Sequence, residues 1–125
     1  MQAKELRIGN YINYKLNGDK QLINVNGIVG TIILTDSFEG DVEYFYPIPI
    51  TEEYLINLGF EKSDVIPQDN NEAAWQLPDD EAFYVILGED PVICLREYGV
   101  LSYFDYVHEL QNIYYALDSI EIVFK

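Results

Sequence analysis

Tyr106-Val107-His108-Glu109-Leu110-Gln111-Asn112-Ile113-Tyr114-Tyr115-Ala116-Leu117 is the stretch on which the fold reading turns. At ~100° per residue, Tyr106, Val107, Leu110, Ile113, Tyr114 and Leu117 fall on one side. That spacing predicts an amphipathic helix over 106–117, with Asp105 as its cap. The runs on either side of it read differently. Val100-Leu101-Ser102-Tyr103-Phe104 before it and Ile120-Glu121-Ile122-Val123-Phe124 after it are rich in β-branched and aromatic residues, as strands are. A helix set between strands, with short β runs upstream, gives an α+β fold with mostly antiparallel pairing.

Working outward, residues 92–96, 83–87 and 73–77 are further strand candidates. They are separated by Gly88-Glu89-Asp90-Pro91 and Pro78-Asp79-Asp80-Glu81, both turn sequences. Residues 61–72, with four acids, Pro67 and two asparagines, read as a loop. Thr51 is a good N-cap, Glu52 and Glu53 suit the positive first turn, and Gly59 is a natural stop, so a first short helix follows Thr51. The first fifty residues read as β. Strands are expected at 11–14, 21–29 with a break at Gly27, 31–35 and 42–46. Leu16-Asn17-Gly18-Asp19 and residues 37–41 make the turns. Short strands at this spacing suggest a meander or a small barrel-like part, ended by Pro47 and Pro49. The expectation is thus one domain over 1–125, with lobes of β-rich 1–50 and α+β 51–125 and two helices in all.

Charge narrows the function classes. The 125 residues carry 22 acids against 7 bases, a net charge of −15. Residues 1–35 sum to +2, with Lys4, Arg7, Lys15 and Lys20 against Glu5 and Asp19. Residues 36–125 set 20 acids against Lys62, Arg96 and Lys125, a sum of −17. An anionic surface is repelled by phosphate backbones and anionic membranes within a Debye length of ~8 Å, so direct nucleic-acid and membrane partners are not expected. No apolar run approaches the ~20 residues of a membrane helix. The start lacks a signal-peptide core, and the one cysteine, Cys94, has no partner for an intramolecular disulfide. A cytoplasmic protein is the expectation.

No phosphate-binding glycine loop, dinucleotide fingerprint or nucleophile elbow occurs. One histidine and one cysteine cannot build a zinc site. Hence no enzyme activity, metal or cofactor is expected. Two candidate binding regions remain. On the side of the 106–117 helix away from its apolar stripe lie His108, Gln111, Asn112 and Tyr115, where a protein of this charge would ordinarily carry charged residues. They either tie down neighbouring loop backbone or are covered, by another part of the chain or by a partner; His108 as a general base is a third reading. The second region is carboxylate. Glu39, Asp41 and Glu43 alternate, which on a strand places them on one face, and Asp79, Asp80 and Glu81 crowd one turn. Dense carboxylates on a rigid scaffold can occupy a Lys/Arg-lined groove on another protein.

The helix sequence also resembles "YVHQLQNLYFAL", a motif near the C-terminus of small phage and prophage proteins of gut anaerobes. Leu6-Arg7-Ile8-Gly9-Asn10-Tyr11-Ile12 is similar to that family's "LRIGNYV". Pro47-Ile48-Pro49-Ile50-Thr51-Glu52-Glu53-Tyr54-Leu55, with Gly59-Phe60, resembles its "PIPLTEEWLLKFGF". Two departures stand out: Glu109 for the family's Gln, and Asp118-Ser119-Ile120-Glu121 for its "TGEE". The resemblance implies a phage accessory protein that acts by binding, for instance by inhibiting a host or defence protein, and carries over no reaction, cofactor or catalytic residue. Two alternatives stand beside it. One is a signalling-nucleotide binder using Arg7, Lys15, Lys20 or Arg96 with stacking tyrosines. The other is a self-associating structural protein, a homo-oligomer built on strand edges or on the back face of the second helix.

Overall fold

In the computed structural model, which describes residues 1–16 (Leu16 by its backbone), 19–63 and 73–125, the chain begins with a 3-10 turn, Ala3–Glu5. Strands β1 (Tyr11–Leu16) and β2 (Asp19–Asn24) then pair antiparallel. The Asn17-Gly18 turn expected between them lies outside the described residues, as do positions 64–72 of the expected loop. β3 (Gly27–Val29), β4 (Ile32–Leu34) and β5 (Glu39–Asp41) form a separate three-stranded meander. β6 (Phe45–Tyr46) returns to β1, giving the order β2-β1-β6. The described residues of this β-rich part thus form two small sheets with no closed barrel.

Residues 42–46 depart from the expected single strand. The Asp41 carboxylate accepts the Glu43 N–H at 3.1 Å and starts a 3-10 turn, Val42–Tyr44, before β6. Local side-chain capping competes with the ladder here and wins, as Asp commonly does at turns. β5 correspondingly falls at 39–41, where a turn was expected.

α1 (Glu52–Asn57) is capped by the Thr51 hydroxyl, which accepts the Tyr54 N–H at 3.2 Å, and ends before Gly59 at φ +94°. β7 (Glu61–Lys62), β8 (Ala74–Leu77), β9 (Asp80–Ile86), β10 (Val92–Leu95) and β11 (Gly99–Tyr103) form an antiparallel sheet in the order β11-β10-β9-β8-β7. α2 (Val107–Asp118) follows. Its cap is not Asp105: the Glu109 carboxylate reaches back to the Tyr106 N–H at 3.1 Å. Residues 120–124 do not form the expected last strand. Side chains occupy this segment instead, with Gln111 donating to the Ile122 carbonyl at 3.0 Å and Glu121 pairing with Arg7. The architecture is α+β, with two α-helices and antiparallel β-meanders among the described residues. Among the described residues, no helix is long and apolar enough to cross a membrane.

Two compact units are distinguishable. The first comprises Met1–Pro49 and Tyr106–Ile122, so α2 belongs with the N-terminal strands; the second comprises Ile50–Asp105 and Val123–Lys125. In the first unit, Leu6, Ile12, Val25, Ile33 and Phe45 form a buried cluster. Tyr14 packs on it with its ring 4.3 Å from Phe38 and 5.4 Å from Phe45. In the second, the register aligns Trp75, Val85 and Ile93 across β8, β9 and β10, all buried. Burying a side chain of this class contributes about 1.5–3 kcal/mol, which is what fixes the face each strand turns inward.

Candidate protein-binding face

The back face of α2 is occupied by the protein itself. Gln111 is 0% exposed. Its carbonyl oxygen accepts the Tyr11 N–H at 2.9 Å, and its amide nitrogen reaches the carbonyls of Gly9 at 3.1 Å and Ile122 at 3.0 Å. Asn112 accepts from Arg7 Nε at 3.1 Å and Asn10 Nδ2 at 2.7 Å, and donates to the Glu5 carbonyl at 2.9 Å. Arg7 pairs with Glu121 and lays its guanidinium 4.1 Å from the Tyr115 ring centroid. One planar face and the N–H edges of the guanidinium are thereby used. Gly9, at φ +100°, lets the chain pass close to Glu121, whose carboxyl carbon would sit 3.0 Å from an added Cβ. Gln111 and Asn112 thus work as a latch between α2 and residues 5–11. Tyr115, 42% exposed, keeps one side on solvent.

His108 is 1% exposed, and among the described residues neither ring nitrogen has a hydrogen-bond partner. Its ring stacks on Tyr106, centroids 5.8 Å apart and planes at 7°. Burial pushes its pKa below the ordinary 6.5 and outweighs the opposing carboxylates of Glu109 and Glu5. A sealed, neutral imidazole is a packing element here. In the second unit, burial likewise raises the Cys94 thiol, against a lowering hydrogen bond with Tyr84. A raised thiol carries little thiolate at neutral pH. Among the described residues, no group of three His, Cys, Asp or Glu is placed to hold a metal ion.

The carboxylate candidates divide. Glu39 and Asp41 lie on β5, but Glu43 lies in the 3-10 turn beyond it, so the three do not share one strand. Asp41 is partly committed to structure, accepting the Thr31 hydroxyl at 2.8 Å as well as capping the turn. Asp79 is exposed in the β8–β9 turn. The Asp80 carboxylate accepts the Ala82 N–H at 3.1 Å, and exposed Glu81 stands 3.8 Å from Arg96.

Glu39 and Asp41 acquire a context that the sequence reading missed. The register places Val29, Ile32 and Asp41 in one row across β3, β4 and β5, and Gly27, Leu34 and Glu39 in the next. Ile33, between Ile32 and Leu34, points to the core and is 0% exposed. The opposite face is therefore apolar as well. It carries a shallow groove of about 560 Å³ lined by Val29, Ile32, Leu34, Glu39 and Gly40. Leu34 lies flat across Gly27, which has no side chain to lift it. The available signal was the unbroken run Ile32-Ile33-Leu34: a strand apolar at consecutive positions is apolar on both faces. No protein-family model, curated protein or solved structure matches this chain.

Proposed function

We propose that the chain is a binding module that docks on a cationic protein through the β3–β4–β5 face, and does not act by catalysis. The observation that carries this reading is the groove itself. An apolar floor of Val29, Ile32 and Leu34 is bordered by Glu39, with Asp41 opposite Ile32 in the register of the same strand. An apolar patch contributes affinity by desolvation, while rim carboxylates steer and select a basic partner. Lys and Arg fit such a surface well, because their aliphatic stems lie on apolar side chains while the charge meets the rim. Net charge of −15 adds long-range attraction to a basic protein. The resemblance to phage and prophage proteins supports a host or defence protein as the partner, in the bacterial cytoplasm, blocked at a surface built for nucleic acid.

The test is affinity capture from host lysate, comparing the unaltered protein with Ile32→Lys and Glu39→Lys. A partner bound through this face is lost from both variants and elutes with rising salt. A partner retained equally by all three proteins, at any ionic strength, contradicts the reading.

A further inference from the structure

The second unit exposes a strand edge with its own charge pattern. Among the described residues, β11 is the terminal strand of the five-stranded sheet. Tyr103 lies opposite Val92, and Phe104 donates its N–H to the Pro91 carbonyl at 3.1 Å. In an antiparallel ladder this bond brackets a non-hydrogen-bonded pair, so the Tyr103 N–H and C=O point away from β10, toward the open edge. The carbonyl takes the Ser102 hydroxyl at 2.9 Å. A side chain thus stands where the donor of a next strand would be. The strand's apolar side chains face solvent: Val100 is 59%, Leu101 44% and Tyr103 68% exposed.

A recess lies at each end of this edge, and carboxylates outnumber bases in both. At its start, about 380 Å³ is lined by Glu81 and Glu97 together with Leu95, Arg96 and Tyr98. At its end, about 350 Å³ is lined by Asp90, Pro91, Tyr103, Phe104 and Asp105, with no cationic side chain. An apolar strand edge bounded by carboxylates is complementary to an extended segment with Lys or Arg beside β-forming residues. It is a poor match for its own copy. Self-pairing would bring the carboxylate-rich recesses of two copies together, and the bulge between Ile93 and Cys94 interrupts the regular edge that long pairing needs.

We propose that the free edge of β11 is a strand-addition site for an extended cationic segment of a partner protein, pairing at the Tyr103 backbone and placing a Lys or Arg side chain in the Asp90–Asp105 recess. The site is independent of the β3–β4–β5 face and stands or falls by itself.

The probe is a synthetic peptide of about six residues alternating Lys and Val, roughly the length of a short strand, with a Glu/Val peptide as control. Both are added to the full chain, read by amide hydrogen exchange and fluorescence anisotropy. The Lys peptide is expected to bind and to slow exchange at Tyr103 by about tenfold or more. The Glu peptide does neither. Asp90→Lys and Tyr103→Pro each weaken binding of the Lys peptide by about tenfold or more, whereas Asp19→Lys, the same charge change at an exposed position of β2, leaves protection at Tyr103 unchanged. Exchange on the unaltered chain decides the matter even where Tyr103→Pro fails to fold. Absence of binding, binding without protection at Tyr103, or binding insensitive to Asp90→Lys overturns the proposal. So does protection of Tyr103 that depends on protein concentration with no peptide present, which would make a second copy the occupant.

Discussion

At the scale of single residues, two buried polar side chains on one helix have opposite fates. Gln111 satisfies three backbone groups, those of Gly9, Tyr11 and Ile122. Gln111→Ala takes one bond from each of these groups, of which the Gly9 carbonyl keeps Asn24 Nδ2 at 2.9 Å, and is expected to cost about 2–4 kcal/mol, read from chemical denaturation midpoints. His108, by contrast, has no partner for either nitrogen among the described residues. Its folded pKa is depressed by burial, so the unfolded chain takes up a proton at a higher pH than the folded one. The stability tied to this residue is therefore complete above its ordinary pKa of 6.5 and is lost as pH falls below that value toward the folded pKa. His108→Phe retains a ring against Tyr106 and removes the titration. The difference in stability between the unaltered protein and this variant should change across that window and be flat above it, as measured by urea unfolding at a series of pH values. A difference that is constant from neutral to acid pH would contradict burial as the cause. The sequence marked both residues as unusual, because uncharged hydrogen-bonding groups on an acidic protein's helix call for an explanation. It could not separate them, because a latch and an unpartnered imidazole differ only in what lies within about 3 Å.

At the scale of elements, caps and close approaches decide where helices and strands begin. Glu109 reaches back to the Tyr106 N–H and fixes the start of α2. Glu109→Ala should cost about 1 kcal/mol, and Glu109→Gln distinctly less, since a glutamine at the same position can close the same bond; thermal unfolding would rank the two. Gly9→Ala combines a φ of +100° with a Cβ placed 3.0 Å from the Glu121 carboxyl carbon. It should destabilise by about 1–3 kcal/mol and loosen the residues 5–11 contact with α2, visible as faster amide exchange at Tyr11. Helix 106–117, the Thr51 cap and the Gly59 stop were legible, because 3.6-residue periodicity and cap residues are local signals. The segment at 120–124 was not. Its β-branched alternation is that of a strand, yet Gln111 and Arg7, distant in sequence, take its polar groups. Residues 42–46 were misread for the opposite reason, a cap by Asp41 only two positions away. Propensity alone does not rank such a cap against a ladder.

At the scale of the whole molecule, charge and exposed apolar surface act together. Residues 36–125 sum to −17, so self-repulsion opposes folding. Moderate sodium chloride should raise the melting temperature by a few degrees, roughly what 1 kcal/mol provides in a chain this size; a temperature unchanged by salt would mean that the carboxylates are dispersed enough not to interact. The acidity itself was plain from composition. Where it meets apolar surface was not, since the row of Val29, Ile32 and Asp41 is set by strand register and by the break at Asp41, neither of which composition encodes. The measurement that bears most directly on docking through this face is the dissociation constant of the isolated partner, taken over a salt series for the unaltered protein, Ile32→Lys and Glu39→Lys. Affinity of the unaltered protein should fall steadily with added salt, and both substitutions should weaken it by about tenfold or more at low salt. Equal affinities for the three proteins with no dependence on salt would show that the partner is held elsewhere.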